Sequence, residues 1–181
     1  YVGELIKVIG YLQNISKQVE KETLAKEEKK YAQFDSLTGI YNRRMGELMM
    51  RNALVLCSSK QKYALMMIDL DDFKQINDQY GHLQGDRVLR EIASVIMTHM
   101  GNGDIFCRYG GDEFLVIFSN GFEEKELLER LENSRKIFEE VYSKYRYLSY
   151  SYGLGVIEHS IDETLIDLDK KMYKDKFRKK I

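Results

Sequence analysis

Residues 105–118 read Ile-Phe-Cys-Arg-Tyr-Gly-Gly-Asp-Glu-Phe-Leu-Val-Ile-Phe, and this stretch decides the fold. Two apolar runs, Ile105 to Tyr109 and Glu113 to Phe118, flank Gly110-Gly111. That pattern predicts a β-hairpin. A hairpin sets its two strands antiparallel and side by side in one sheet. On its N-terminal side, Tyr63 to Leu70 (YALMMIDL) is a continuous apolar run, expected as a buried central strand. Before that run, Asn42 is expected to cap a helix reaching about Leu56. Between run and hairpin come two helices. One is short, from about Asp72, and is broken at Gly81. The other, from about Gln84 to His99, carries Val88, Leu89, Ile92, Val95 and Ile96 on one face. On the C-terminal side, residues 122–145 read as a helix. Leu148 to Ile157 reads as a strand interrupted by Gly153 and Gly155, and Ile161 to about Lys179 as a last helix. The expected fold class is α+β, a ferredoxin-like antiparallel sheet flanked by helices.

Residues 1–32 stand apart. Val2, Leu5, Ile9 and Leu12, overlapping with Leu5, Val8, Leu12, Ile15 and Val19, recur at three- and four-residue spacing. Two readings follow: a coiled-coil stalk that joins an upstream domain, or an amphipathic helix lying on its own domain. The expected division is a coiled-coil-type helix over 1–32 and a folded domain over 33–181. The 181 residues suit one domain with an added element. With 44% apolar residues the chain is not disordered, and no apolar run reaches the length of a membrane span. Proline is absent, which removes polyproline docking sites. Cys57 and Cys107 lie 50 residues apart and form neither a zinc-ligand spacing nor a disulfide framework, pointing to a reducing compartment. The chain begins with Tyr1 and is read as a piece of a longer protein.

Two polar clusters carry chemistry. Asp69-Leu70-Asp71-Asp72-Phe73-Lys74 lies where a buried strand ends and a helix begins. A carboxylate there can hold Mg²⁺, and the first amides of the helix favour an anion. The competing reading is helix capping by Asp71 or Asp72. The second cluster is the hairpin tip, where Gly110 and Gly111 let a ligand approach the backbone. Asp112 and Glu113 sit between apolar strands, where carboxylates are poor strand formers. A sheet that places the hairpin beside Asp69 brings three carboxylates to one metal–phosphate centre.

Arg108 to Phe114 (RYGGDEF) resembles the signature of the GGDEF family, the diguanylate cyclases. Asp35-Ser36-Leu37-Thr38-Gly39 with Asn42-Arg43-Arg44, Asp69 to Asp86, Ser151-Tyr152-Gly153 and Asp169 to Lys180 resemble further family segments in order and spacing. The resemblance covers about residues 31–181. It implies the palm-type βααββαβ fold. It also implies condensation of two GTP into cyclic di-GMP with release of two pyrophosphates. Implied metal ligands for Mg²⁺ or Mn²⁺, two per active site, are Asp69, the Leu70 carbonyl, Asp112 and Glu113. Asp112 and Glu113 are the implied catalytic residues. Phe73, Lys74, Gly110 and Gly111 should meet phosphates, and Asn77, His82 and Asp86 the guanine pocket. Asp86 has its own warrant: a carboxylate accepts from guanine's ring N–H and amine together, donors that adenine lacks. Read without the family, Asn77 is a helix-end residue and His82 a turn histidine.

Net charge is −1, and this argues against a nucleic-acid partner. Yet residues 170–181 hold seven cations against Asp175 alone, a side-chain charge of +6. Lys176 and Lys180 match the family's phosphate-binding cations. Lys180 stands where Arg is usual, which loses the bidentate fork. The alternative is a solvated basic tail; an RNA or DNA tail is disfavoured because no aromatic platform accompanies it. The family's product-inhibition site, Arg-x-x-Asp, is broken: Gly101 replaces the arginine while Asp104 is retained. Expected partners are GTP, a second copy of the chain as catalytic homodimer, and an upstream sensor domain. No nucleic acid and no membrane contact are expected. The expected location is the cytoplasm, with membrane anchoring of the full-length protein left open. Rival readings are a silent GGDEF module that senses GTP or cyclic di-GMP, and a palm acting on another nucleotide.

Overall fold

The computed structural model describes residues 11, 14–24, 28, 32–57, 61–119, 123–143, 145, 148–158 and 160–179. Its elements run β1 (Tyr41–Asn42), α1 (Arg43–Leu56), β2 (Ala64–Leu70), α2 (Phe73–Tyr80), α3 (His82–Met97), β3 (Ile105–Arg108), β4 (Glu113–Phe118), α4 (Glu124–Val141), β5 (Tyr150–Val156) and α5 (Ile161–Arg178). The sheet order is β1-β3-β4-β2-β5. The four strands β2 to β5 pair antiparallel, as expected of a ferredoxin-like sheet. The fifth strand was not expected. It is two residues long, too short for a period-2 signal, and it pairs parallel with β3, so the sheet is mixed. Asn42 caps α1, accepting from the Met45 amide at 3.1 Å.

β2 is an interior strand, paired on both sides, and its continuous apolar run serves two cores. Ala64, Met66, Ile68 and Leu70 face α3 and α4, with Val88, Ile92, Leu127 and Phe138. Leu65 and Met67 face α1 and α5, with Met50, Ala53 and Leu168. Side chains alternate along a strand, so Asp69 falls on the α1/α5 side. By the same alternation Glu113 and Ser151 fall there too.

β5 runs unbroken through Gly153 and Gly155, where the sequence suggested an interruption. Gly153 permits a close crossing instead: a Cβ there would stand 2.1 Å from the Leu168 carbonyl of α5. Among the described residues the outer edge of β5 has no strand beside it, and three α5 side chains one turn apart take its backbone groups. Lys171 Nζ donates to Leu154 O at 2.9 Å, the Tyr152 amide donates to Asp175 Oδ2 at 3.3 Å, and Lys179 Nζ donates to Tyr150 O at 2.6 Å. Such cover removes an open edge on which another chain could pair. α4 ends earlier than the sequence pattern suggested, at Val141.

The N-terminal segment is helical over 14–24 and exposed throughout, with Ile15, Val19 and Leu24 in solvent. The earlier positions of the stripe, Val2 to Ile9 and Leu12, fall outside the described residues. Among the described residues, no helix is long and apolar enough to cross a membrane.

Candidate active site

Sheet register assembles the carboxylates. Asp69, last but one in β2, lies directly opposite Glu113 of β4 and opposite Ser151 of β5. The next residue, Leu70, donates its amide to the Asp112 carbonyl at 3.2 Å. The hairpin tip is thereby tied to the end of the central strand. Burial pushes the Asp112 carboxyl up from its ordinary range, and the Asp69 charge adds to this. Glu113 is pushed up by burial and then by Asp69, Asp112 and Asp169. These groups sense each other as like charges, the situation a divalent cation relieves.

Hard carboxylate and carbonyl oxygens fit Mg²⁺ or Mn²⁺ in donor chemistry. Among the described residues, no three acidic, histidine or cysteine side chains are gathered into a ready cage. A lysine stands among them instead. Lys176 Nζ lies 2.6 Å from Asp69 Oδ1 and 3.6 Å from Asp71 Oδ1. Burial lowers the affinity of this ammonium for its proton, but the Asp69 and Asp71 carboxylates outweigh that and raise it. Lys176 thus contacts carboxylate at the end of β2. Lys180 lies outside the described residues.

The hairpin turn spans residues 109–112. The Tyr109 and Gly110 amides both donate to the Glu113 carbonyl, at 2.8 and 3.1 Å. Gly110 is packed by the Glu113 side chain, while Gly111 opens to free space. Arg108 closes the turn. Its Nε and Nη2 donate to Gly111 O at 3.2 and 2.7 Å, and its Nη1 reaches both Asp35 oxygens at 3.3 Å. Burial raises the Asp35 carboxyl, but hydrogen bonds from the Thr38 hydroxyl and amide, with Arg108, outweigh it and hold the group low. Arg43 lies 4.7 Å over the Tyr109 ring. The coupling of Arg108 to Asp35 across 73 positions has no local sequence signal.

The capping reading of the Asp-rich segment fails for both residues. Asp72 occupies the N-cap of α2 with a left-handed φ of 56° and no side-chain cap bond. Asp71 is buried and bonded to Ser151 and Lys179. Phe73 and Lys74 open α2, where the first amides of a helix have no partner within it. Asn77 is not the helix end: it lies three residues before Tyr80, the last residue of α2, and its carbonyl accepts from the Gly81 amide at 2.9 Å. Its side chain turns to α3, where a Cβ on Gly85 would stand 2.0 Å from Asn77 Oδ1. Gly85, the residue before Asp86, thus leaves the room that the Asn77 side chain occupies. His82 begins α3 in solvent, one turn before Asp86.

Asp104 is used locally. Its Oδ2 accepts from the Gly101 amide at 2.8 Å, and its Oδ1 from the Ser119 amide at 3.0 Å. The basic tail is largely compensated within the fold: Lys171 pairs with Asp167, Arg178 with Asp175, Lys176 with Asp69 and Lys179 with Asp71. One expectation about it is corrected. Tyr173 and Phe177 lie exposed on α5 with ring centroids 4.8 Å apart, so aromatic rings do accompany the cations. The two rings stand four apart, a spacing that puts them on one face of α5. A cavity of about 370 Å³ at the opposite end of the sheet, lined by Glu124, Glu158, Glu163, Asp167 and Lys171, holds none of the expected site residues.

Comparison with known proteins agrees with this arrangement. The family model described as diguanylate cyclase, GGDEF domain, matches residues 32–180. Diguanylate cyclase DgcS of Shewanella oneidensis is 33% identical over 151 residues, covering 80% of this chain and 50% of that protein. Diguanylate cyclase VdcA of Vibrio cholerae is 44% identical over 97 residues, covering 54% of this chain and 27% of that protein. The chain spans half or less of the length of these relatives. The coiled coil and GGDEF domain of DgcB from Caulobacter crescentus, solved in complex with c-di-GMP, matches with a TM-score of 0.80 at 25% identity, over 93% of this chain and 94% of that one. By matched residues, by fold and by the carboxylates at its hairpin tip, the chain belongs to the GGDEF family of diguanylate cyclase domains.

Proposed function

We propose that this domain is an active diguanylate cyclase. It would condense two GTP into cyclic di-GMP, each 3′-hydroxyl attacking the other nucleotide's α-phosphate with pyrophosphate leaving. The observation that carries this reading is the register of β2 on β4, which sets Asp69 opposite Glu113 with Asp112 tied to Leu70. Asp69, the Leu70 carbonyl, Asp112 and Glu113 would hold two Mg²⁺ or Mn²⁺ ions. Bound metal supplies charge neutralisation at the phosphates and a more acidic 3′-hydroxyl. Asp112, with Glu113, would also help take the hydroxyl proton. The α2 amides at Phe73 and Lys74, and the tip at Gly110 and Gly111, receive phosphate oxygens. Lys176 neutralises phosphate, with Lys180 as second cation. Asn77 and Asp86 read the guanine edge, with His82 beside them.

Each chain offers one such site, so the reaction needs two chains facing each other. Alignment of two bound nucleotides then supplies much of the acceleration. The exposed N-terminal helix supports a homodimer in which this stalk joins two catalytic domains to upstream sensors, in the cytoplasm. The inward use of Asp104 and the glycine at 101 support weak product feedback through that region. Submicromolar, non-competitive inhibition by cyclic di-GMP, lost on Asp104→Ala, would contradict this.

The decisive test is incubation with GTP and Mg²⁺ followed by product chromatography. Wild type yields cyclic di-GMP, and the Asp112→Ala/Glu113→Ala double variant yields none. GTP binding without product at high protein concentration would instead make the domain a silent nucleotide sensor.

A further inference from the structure

Asp71 stands two residues beyond Asp69, on the same side of the sheet, and uses its carboxylate differently. It is 5% exposed. Its two oxygens accept from the Ser151 hydroxyl of β5 at 2.8 and 3.0 Å, and its Oδ2 also accepts from the Lys179 ammonium of α5. Lys176 lies 3.6 Å from Oδ1. Protein donors therefore occupy most of the lone pairs this carboxylate has. Lys179 is equally committed, donating also to the Tyr150 carbonyl at 2.6 Å and the Ser149 hydroxyl at 3.5 Å. The Asp71 amide completes the junction by donating to the Ser149 carbonyl at 2.9 Å.

This junction brackets the turn from β2 to α2. On one side of Asp71 lies Leu70, whose amide holds the Asp112 carbonyl. On the other lies Asp72, a non-glycine residue with φ 56° and no side-chain cap bond of its own. A left-handed residue of this kind persists where its surroundings over-determine it. Here the constraint comes from β5 and α5, through Asp71.

We propose that Asp71 and Lys179 act as a pair of positioning residues for the nucleotide site. Together they fix the turn that aims the Leu70 carbonyl and the first amides of α2 at the metal-bound phosphates. Of the two aspartates in Asp-Leu-Asp, only Asp69 remains for a metal. Lys176 and Lys179, three apart on α5, divide in the same way: Lys176 faces the reacting centre and Lys179 holds the frame. This inference rests on the reading of the site as a GTP site.

The test uses the whole chain with Asp71→Asn, Lys179→Met, Lys179→Arg and the Asp71→Asn/Lys179→Met double variant. Three readouts apply: kcat and KM for GTP, titration with a non-hydrolysable GTP analogue, and Mn²⁺ binding followed by electron paramagnetic resonance. Supporting groups around metal sites typically contribute 10–100-fold, so kcat/KM should fall about tenfold in Asp71→Asn and in Lys179→Met, mainly through KM. Analogue affinity should fall in parallel, and Mn²⁺ stoichiometry should stay at the wild-type value. Lys179→Arg should recover most of the loss. The double variant should lose no more than the worse single one, because the two act as a unit. A fall in kcat alone with KM and analogue affinity unchanged means a mere loss of folded enzyme, and overturns the proposal. So does loss of Mn²⁺ stoichiometry in Asp71→Asn, which would make Asp71 a ligand. Wild type that neither binds nor converts GTP overturns the GTP reading itself, and this inference with it.

Discussion

Asp112 and Glu113 ionise less readily than ordinary carboxylates, because burial and the neighbouring Asp69 charge both oppose the anion. The consequence for stability has a definite sign. A carboxyl with a raised folded-state value keeps its proton where the unfolded chain has released it. The native state then binds more protons, and stability falls as pH rises through the range just above ordinary carboxylate values. Asp112→Asn removes that penalty. In the absence of metal and nucleotide, the variant should melt higher than wild type at neutral pH, by roughly 2 °C. The gap should close below pH ~3, where the wild-type carboxyl is protonated in both states. Calorimetry across that range checks it, and an unchanged gap at low pH would count against the charge explanation. Activity should be lost in the same variant, so the residue that strains the fold is one that the chemistry needs.

Element by element, the site depends on how closely α5 lies on β5. Gly153 has no Cβ, and the Leu168 carbonyl occupies the space one would need. The contact is backbone, which yields little. Gly153→Ala should destabilise by about 1–3 kcal/mol in urea titration and lift α5, carrying Lys176 away from Asp69. Asp175 is the middle rung of the edge cover. It accepts from the Tyr152 amide and pairs with Arg135 of α4 at 2.7 Å, and Arg135 is itself only 8% exposed. Arg135 also holds Glu132, which accepts from the Tyr152 hydroxyl at 2.8 Å. Asp175→Ala would leave a buried guanidinium short of its partner and an edge amide bare. The expected loss is about 3–5 kcal/mol, together with increased aggregation as the β5 edge opens. A loss below 1 kcal/mol would mean that Glu132 alone suffices for Arg135.

For the whole molecule, the proposed reaction requires two catalytic domains to meet, and the exposed N-terminal helix is the element available to arrange it. Ile15 and Val19 lie four apart on that helix, both in solvent. Replacing both with Lys should leave the melting of the catalytic domain unchanged. Specific activity should fall at low protein concentration and recover as concentration rises. Activity independent of concentration in both proteins, with light scattering showing monomers, would remove the homodimer from the mechanism.

Much of this protein was legible in its amino-acid order. Periodicity placed the central strand, the hairpin and most helices, because burying apolar side chains on a sheet or helix face leaves a repeat in the sequence. The placement of carboxylates at a strand end and a hairpin tip singled out Asp69, Asp112 and Glu113, and the family resemblance added Asn77 and Asp86. The two-residue strand at Tyr41 escaped because nothing so short carries a period. The partners of Asp71 escaped for another reason. A carboxylate bonded within the fold and one at the proposed metal site have the same letter, and Asp69 and Asp71 stand two positions apart on one side of the sheet. Only tertiary structure separates them, by bringing Ser151 and Lys179, 80 and 108 positions away, onto one and leaving the other opposite Glu113. Local sequence fixes conformation through nearest-neighbour sterics and burial, whereas a side chain's charge partners are chosen by register and helix crossing, which bring together residues far apart in the chain.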